Sequence, residues 1–380
     1  MQETDDVLVI GAGIAGLSVA AALSETCRVT VLERETSPGN HASGRAAALF
    51  RRLHPQPTVR LLTEASLPFL SDRHEEVDGA PLVNFRGLLL LARGDQMDLL
   101  DRVERDPRAS GILQRLDASA LARLVPQLRP GYAASALLED DACDINVPRL
   151  MTLFRRRLAA RAGRLVCGAG VSALRYQGGA WLAETGAGVF RAPVLVNAAG
   201  AWADGLARLA GITPIGLTAR RRTLLEVRLA GAERLRSLPM IADLDLHFYF
   251  KPEAGRFLIS PADETPARPG NALPEDLDVT LCLDRIRACF DFDILETRRV
   301  WAGLRSYAPD GMPVLGFDAA HPGFYWLAGQ GAAGIQTAPS VAGLAAAEIT
   351  GAALPPELDG LSGQRNALLP GRFAEASPFS

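Results

Sequence analysis

The sequence predicts an α/β protein: a discontinuous Rossmann-like domain on a parallel sheet, with an α+β domain built on an antiparallel sheet inserted in pieces. Three observations predict it. A strand, a glycine turn and a helix open the chain at 7–24. A second strand ending in small residues stands at 193–202, and a third, with its own glycine turn and helix, at 324–350. Between them, 216–299 carries strand patterns of an antiparallel kind.

Taken in order, Val7-Leu-Val-Ile10 is a short apolar strand, Gly11-Ala-Gly-Ile-Ala-Gly16 the turn, and 17–24 a helix. Residues 28–32 form the second strand, ending at Glu33 and completing a βαβ unit. A small polar loop at 39–44 precedes a helical stretch from about 45, and a second helix covers 57–70. The apolar run 82–92 reads as one buried strand, 95–130 as surface helices, and 148–161 as an amphipathic helix with a solvated side at Arg155, Arg156 and Arg157. Short strands follow at 165–174, 181–190 and 193–196, the last leading into Asn197-Ala-Ala-Gly-Ala-Trp202. Strands at 224–229, 247–251 and 257–260 belong to the antiparallel sheet, and 274–290 is helical. A strand at 324–328, a glycine turn and a helix at 335–350 close the pattern, and the tail beyond 360 is expected to be loosely ordered. The first domain is thus expected from 1–80, 143–215 and 300–360, the second from 81–142 and 216–299, with 361–380 as tail.

The chain has 380 residues, enough for two domains without a metal or disulfide to hold a core. A net charge of −3 excludes a nucleic-acid footprint or a polybasic membrane patch. Lys251 is the single lysine among 40 cations. Five widely spaced cysteines with no CxxC predict reduced thiols, no metal site and a cytoplasmic protein. The first apolar run is flanked by Asp5 and Asp6 and broken by Gly11, Gly13 and Gly16, which argues against a signal peptide or a membrane span.

Gly11-x-Gly13-x-x-Gly16 has the spacing of a dinucleotide turn. Gly11 permits the tight bend, Gly13 the approach of a pyrophosphate, and Gly16 close helix–strand packing. The helix start at Ile14 and Ala15 offers N–H groups and a positive dipole end to the phosphates. Glu33, 20 residues after Gly13, is placed to accept ribose hydroxyls and opposes a 2′-phosphate, with Arg34 the one cation beside it. The remainder favours FAD over NAD. Small residues at 37–48 let backbone approach a large planar ring, and the helix after Gly329, Gly331 and Gly334 can point its N-terminus at a flavin edge where negative charge develops.

The segments VLVIGAGIAGLSVA, VTVLERE, SPGNHASGRAAA, VLVNAAGAWAD, RVWAGLRSYAPDGMPVLG and WLAGQGAAGIQT together resemble the D-amino-acid-oxidase-type flavoenzymes over about residues 5–350. Within that family, SGRAAA, LVNAAGAWAD, FYFKP, WAGLRS and GIQT are most similar to the D-arginine dehydrogenases. The resemblance implies a glutathione-reductase-like FAD domain, a substrate domain roofing the flavin, and oxidation of an amino acid to an imino acid that hydrolyses to a 2-oxo acid. FAD is expected to be non-covalent, because no cysteine lies in 301–317. Cofactor contacts are implied for the first turn, Glu33 and Arg34, then for His41, Ser43, Gly44, Arg45, Ala46 and Ala47. Val171, Ala199, Gly200 and Trp202 follow in the middle of the chain. Gly303, Arg305, Gly331, Gly334, Ile335, Gln336 and Thr337 complete the set.

A carboxylate-bearing substrate calls for a planar guanidinium that pairs bidentately. The resemblance implies Arg305 and Arg222 as that clamp and Tyr249 as a further hydroxyl on the carboxylate. Where the arginine dehydrogenases have an acidic residue, a loop histidine, a gating tyrosine and a glycine-tyrosine pair, this chain has Leu88, Leu49, His54 and Ala332-Ala333. A substrate guanidinium buried against Leu88 would be unpaired. The pocket is therefore expected to take a small amino or imino acid with a neutral or apolar side chain, of D-configuration by the resemblance. His54 is a candidate proton acceptor for the amine. Two alternatives stand: a secondary amino acid or 2-hydroxy acid on the same fold, and a flavin-binding subunit without its own catalysis. The electron acceptor is left open by the sequence.

Overall fold

The computed structural model describes residues 4–161, 163–253 and 256–373. Val7–Ile10 is the centre of a six-stranded sheet. It pairs in parallel with Val29–Leu32 on one side and Val194–Asn197 on the other. Arg164–Val166 extends the first side, and Phe324–Ala328 then antiparallel Val314–Phe317 the second. Strands from four distant parts of the chain thus build one layer. Its inner strands are apolar on both faces, as a parallel sheet covered on both sides requires. The helices Ile14–Leu23, Val147–Ala160 and Ala338–Thr350 cover one face through a core including Leu17, Leu153 and Leu344. The other face is closed by Trp181, Phe324 and Trp326 with the antiparallel sheet Val171–Gln177, Ala180–Thr185 and Gly188–Ala192.

The second large sheet has eight strands, in the order Ile294–Tyr307, Thr218–Leu229, Arg256–Ser260, Tyr249–Glu253, Met240–Asp243, Leu88–Ala92, Ser135–Glu139, Leu113–Asp117. It is mixed rather than wholly antiparallel, since Met240–Asp243 runs parallel to Leu88–Ala92. Its register sorts the side chains into two faces. Leu225, Ile259 and Phe250 stand opposite one another and pack, with Leu89, Leu91 and Phe257, against Cys282 and Ile286 of the helix Asp276–Cys289. The alternate positions, Arg222, Leu224, Tyr249, Lys251, Leu88 and Leu90, therefore share the opposite face.

Several expected elements differ. No helix begins at 45: Ser43–Arg45 is a single 3-10 turn, Ala48 adopts φ 43°, and Leu49–Phe50 is a strand. The run 82–92 is broken at Gly87 (φ 81°), so Val83–Phe85 joins Leu49–Phe50 and Cys143–Ile145 in a small sheet while Leu88–Ala92 joins the large one. Within 95–130 the helices are Met97–Glu104 and Ala118–Leu124, with the edge strand Leu113–Asp117 between them. The 165–174 and 181–190 runs each divide into two strands at glycine-containing turns. Ile294–Tyr307, 14 residues long, went unanticipated because its outer half is charged and exposed, and it crosses the expected boundary at 300. The tail is docked over 361–373: Leu361 and Leu368 are buried, and Arg365 bonds Glu348 and the Leu315 carbonyl. Residues 374–380 lie outside the described residues.

Candidate functional site

The glycine turn is shaped by contacts that a side chain would abolish. A Cβ on Gly16 would lie 1.8 Å from the Gly11 carbonyl oxygen, and one on Gly11 (φ 105°) 2.6 Å from that of Ala198. Gly13 caps the helix without a side chain. Glu33 Oε2 accepts the Ala12 N–H at 2.7 Å, and Ser43 Oγ the Ile14 N–H at 2.9 Å. The Ala15 and Gly16 amides take no partner from the described residues, and so remain available at the positive end of the helix. Glu33 is also fixed by the Glu35 N–H, and its own carbonyl and that of Glu35 accept the Ala169 and Gly168 N–H groups. His41 bonds Glu35 at 2.9 Å and packs against Trp202 at 4.6 Å with the rings tilted by 54°, and Arg34 lies over Trp202 at 5.0 Å. Val171 and Ala199 pack against one buried cluster near that edge. Gly200, with φ 56°, turns the chain there.

A cradle of glycines with free amides, and a carboxylate set for a ribose at its end, fits FAD. The residues that would hold it are Gly11–Gly16, Glu33, Ser43, the 43–47 backbone and the turn 331–337. In that last turn the Gly331 N–H bonds the Ser306 carbonyl at 2.9 Å, and a Cβ on Gly334 would meet Gln330 Oε1 at 2.8 Å. Ile335 is half-buried against the main core, and Thr337 bonds back to the Ala333 carbonyl. Gln336 brackets Arg51, accepting from its N–H at 3.2 Å and donating to its carbonyl at 3.3 Å.

Arg45 has a different role from the one expected of a cofactor-binding side chain. Its guanidinium donates to the Ala302 carbonyl at 2.9 Å, the Ala272 carbonyl at 3.2 Å and Asn271 Oδ1. Trp301 Nε1 returns a bond to the Arg45 carbonyl, and Gly303 admits the Arg45 Cβ at 3.2 Å from where its own would be. Arg45 thus fastens the 43–47 loop to the strand that carries Arg305. Lys251, wholly buried, does the same from the sheet, donating to the Ala47 carbonyl and pairing with Asp144 at 3.1 Å.

On the shared face of the large sheet, Arg220 stands opposite Arg305 and Arg222 opposite Gly303. Three arginines on one face repel one another: burial pushes the Arg222 guanidinium pKa down, and Arg305 adds to the fall. Arg222 is met by Glu264, whose Oε1 accepts from it at 2.8 Å and from Tyr307 Oη at 3.3 Å, while Oε2 takes Arg220 at 3.1 Å. Arg222 Nε and Tyr249 Oη are buried without a partner. Leu49, Leu88 and Tyr249 lie in one cluster with Met240 and Leu90, so the structure brings those three site residues together.

Two expected roles are corrected. Ala333 packs into the core beneath the parallel sheet, with Ile14 and Tyr325, rather than lining the pocket, while Ala332 is exposed. His54 accepts the Gln56 N–H through Nδ1 at 3.2 Å. Burial, with Arg51 and Arg60 nearby, pulls its pKa down to about 4. The ring is neutral near pH 7 and its acceptor nitrogen is occupied, so it can donate through Nε2 but is a poor proton acceptor. Glu264, Tyr307, Arg51 and Glu139 were missed by sequence reasoning. Only the strand register, which sets Glu139 opposite Leu88, reveals why they matter.

Comparison with known proteins gives a consistent result. The family described as FAD dependent oxidoreductase (DAO) matches residues 6–348. Glycine oxidase of Pseudomonas putida is 25% identical over 357 residues, covering 91% of this chain and 94% of that protein. The crystal structure of glycine oxidase from Geobacillus kaustophilus superposes with a TM-score of 0.80 at 23% identity, covering 96% of this chain and 99% of that one. That of L-proline dehydrogenase from P. horikoshii gives 0.83 at 20% identity, over 99% and 100%. Among the described residues no helix is long and apolar enough to cross a membrane.

Proposed function

The chain belongs to the DAO family of FAD-dependent oxidoreductases, and on that premise we propose that it oxidises an amino acid of D-configuration whose side chain carries no positive charge. That the chain is an amino-acid-oxidase-type enzyme accords with its full-length similarity to glycine oxidase. The handedness rests on the segments it shares with D-amino-acid-oxidase-type enzymes. The side-chain reading rests on Leu49 and Leu88, which offer no counter-charge to an ammonium or guanidinium.

The observation that carries the reading is the pair of unpartnered buried atoms on one sheet face, Arg222 Nε and Tyr249 Oη, with Arg305 two strand positions from the Arg222–Gly303 pair. A substrate carboxylate would satisfy both and accept from Arg305. Bidentate guanidinium–carboxylate pairing fixes orientation as well as position, turning the α-carbon hydrogen toward the cofactor side. FAD, when bound, supplies the acceptor for the two electrons that leave with that hydrogen. The amine loses a proton, the product is the imino acid, and water hydrolyses it to a 2-oxo acid and ammonia. His54, donating through Nε2, does not take that proton; an amine that binds neutral needs no base. Lys251 and Arg45 keep the 43–47 loop and the arginine strands in fixed relation, so the clamp and the cofactor loop are preorganised together.

Anaerobic bleaching of the flavin near 450 nm by both enantiomers of the common amino acids tests the reading. Reduction by D-amino acids, and not by D-arginine or D-lysine, is expected. Reduction by 2-hydroxy acids alone would overturn it.

A further inference from the structure

Arg51 is used by neither the cofactor cradle nor the carboxylate clamp. Its main chain is bracketed by Gln336, which also donates to Thr63 Oγ1 at 2.8 Å, so the residue is fixed against the turn that opens the last helix. Two residues earlier, Leu49 packs toward Leu88, Met240 and Tyr249, while Phe50 between them is buried in the core beneath the parallel sheet. Glu139, whose charge reaches the Arg51 guanidinium, stands opposite Leu88 and so shares the sheet face that carries Leu88 and Tyr249.

The guanidinium lies deep in the molecule, where burial lowers its pKa. The residue nevertheless keeps part of its surface open. Among the described residues its side chain makes no ion pair and donates no hydrogen bond, and its Nε is buried without a partner. Glu139, opposite Leu88, is the nearby carboxylate, and it is spent elsewhere: it is sealed from solvent and its Oε1 accepts the Arg52 N–H. Burial also pushes the Glu139 pKa up, weakening the charge it offers Arg51. His54 and Arg60, the other ionisable neighbours, supply no negative charge.

An interior guanidinium with unspent donors calls for an anion. We infer that Arg51 binds a second carboxylate, at the far end of the substrate from the Arg222–Arg305 clamp, making the preferred substrate a dicarboxylic amino acid. The inference deepens the proposed function and rests on it. It replaces the neutral or apolar side chain expected from Leu49 and Leu88 alone. Leu49, Leu88 and Met240 form one apolar cluster with Tyr249, which matches a short aliphatic spacer between two carboxylates.

The holoenzyme decides it. Half-saturation for anaerobic flavin reduction is compared between glutamate, glutamine and norvaline, each as both enantiomers, in the wild type, in Arg51→Met and in the charge-retaining Arg51→Lys. In parallel, glutarate and butyrate, which have no amine to oxidise, are titrated against the flavin absorbance spectrum. Glutamate should half-saturate at least about tenfold below glutamine and norvaline, and glutarate should bind about tenfold tighter than butyrate. Arg51→Met should bring both ratios toward one, with Arg51→Lys between. Glutamine or norvaline equal to or better than glutamate in the wild type would overturn the inference, as would wild-type ratios that persist in Arg51→Met. If no amino acid reduces the flavin while glutarate still binds through Arg51, the anion site stands and the proposed function falls. Reduction of the wild type without preference for the acid sinks this inference alone, and the wild-type titrations need no variant to fold.

Discussion

Arg222 and Glu264 face each other at 2.8 Å in the wall that also holds Arg305, so one arginine of the proposed clamp already carries a carboxylate from its own chain. Glu264 is largely accessible and reaches Arg222 from the loop after Arg256–Ser260. A substrate carboxylate therefore meets a partly neutralised guanidinium. Replacing Glu264 by Gln removes one negative charge a few ångströms from the clamp. Carboxylate ligands should bind about three- to tenfold tighter, read as the Kd of a non-oxidisable carboxylic acid from flavin absorbance. Weaker binding would mean that Glu264 holds Arg222 in its working rotamer.

Arg305→Ala should cost on the order of 10²–10³ in kcat/KM by removing the charge-assisted bonds of the clamp, with Arg305→Lys falling between because it keeps charge but loses the fork. A steady-state series on the best substrate checks this.

Tyr249 Oη has no partner to lose. Tyr249→Phe should leave thermal stability unchanged or slightly raised, while half-saturation rises about three- to tenfold. A fall in Tm without a change in half-saturation would assign the hydroxyl a structural role.

Gly16→Ala sets a methyl against the Gly11 carbonyl at 1.8 Å, a contact that only movement of the turn relieves. The variant should lose yellow colour and yield together, measured as the ratio of absorbance at 450 to 280 nm. Full flavin content would show that the turn has room to move.

The sign of the His54 effect follows from its depressed pKa, about 4 against 6.5 for the ring unperturbed. Below pH 6.5 the unfolded chain binds a proton that the folded one refuses, so His54 lowers stability as pH falls toward 4 and is without effect above 6.5. Because the ring is only partly enclosed, the effect is on the order of 1 kcal/mol, about 2–4 °C in Tm. His54→Gln should flatten Tm against pH in that window and leave the acidic limb of kcat near neutrality where it was.

The parallel layer was legible because its signals are local. Gly11, Gly13 and Gly16 sit within six residues of a strand end, and Glu33 closes the unit at its expected place. The other sheet was legible only in part, since its pairings span long separations: Leu88 meets Met240, and Arg220 meets Arg305. Family resemblance singled out Arg222, Tyr249 and Arg305, and the register shows them on one face. Arg51 and Glu264 went unseen because their meaning depends on partners across space, Glu139 for one and Arg222 for the other. The tail was misjudged for a similar reason: Leu361, Leu368 and Arg365 look unremarkable until Glu348 and the Leu315 carbonyl are beside them.

The central strand Val7–Ile10 is followed soon by its neighbour Val29–Leu32, but the other side of the layer arrives late. Val194–Asn197 follows nearly two hundred residues on, and Phe324–Ala328 more than three hundred. At ~5–20 residues per second, the opening segment waits roughly 15–60 s for the last member of its layer. During that interval an apolar strand–helix–strand unit is without its remaining lateral partners. Synthesis in cells should therefore lean on chaperone shielding, and the nucleotide can be captured stably only once Phe324–Ala328 has emerged.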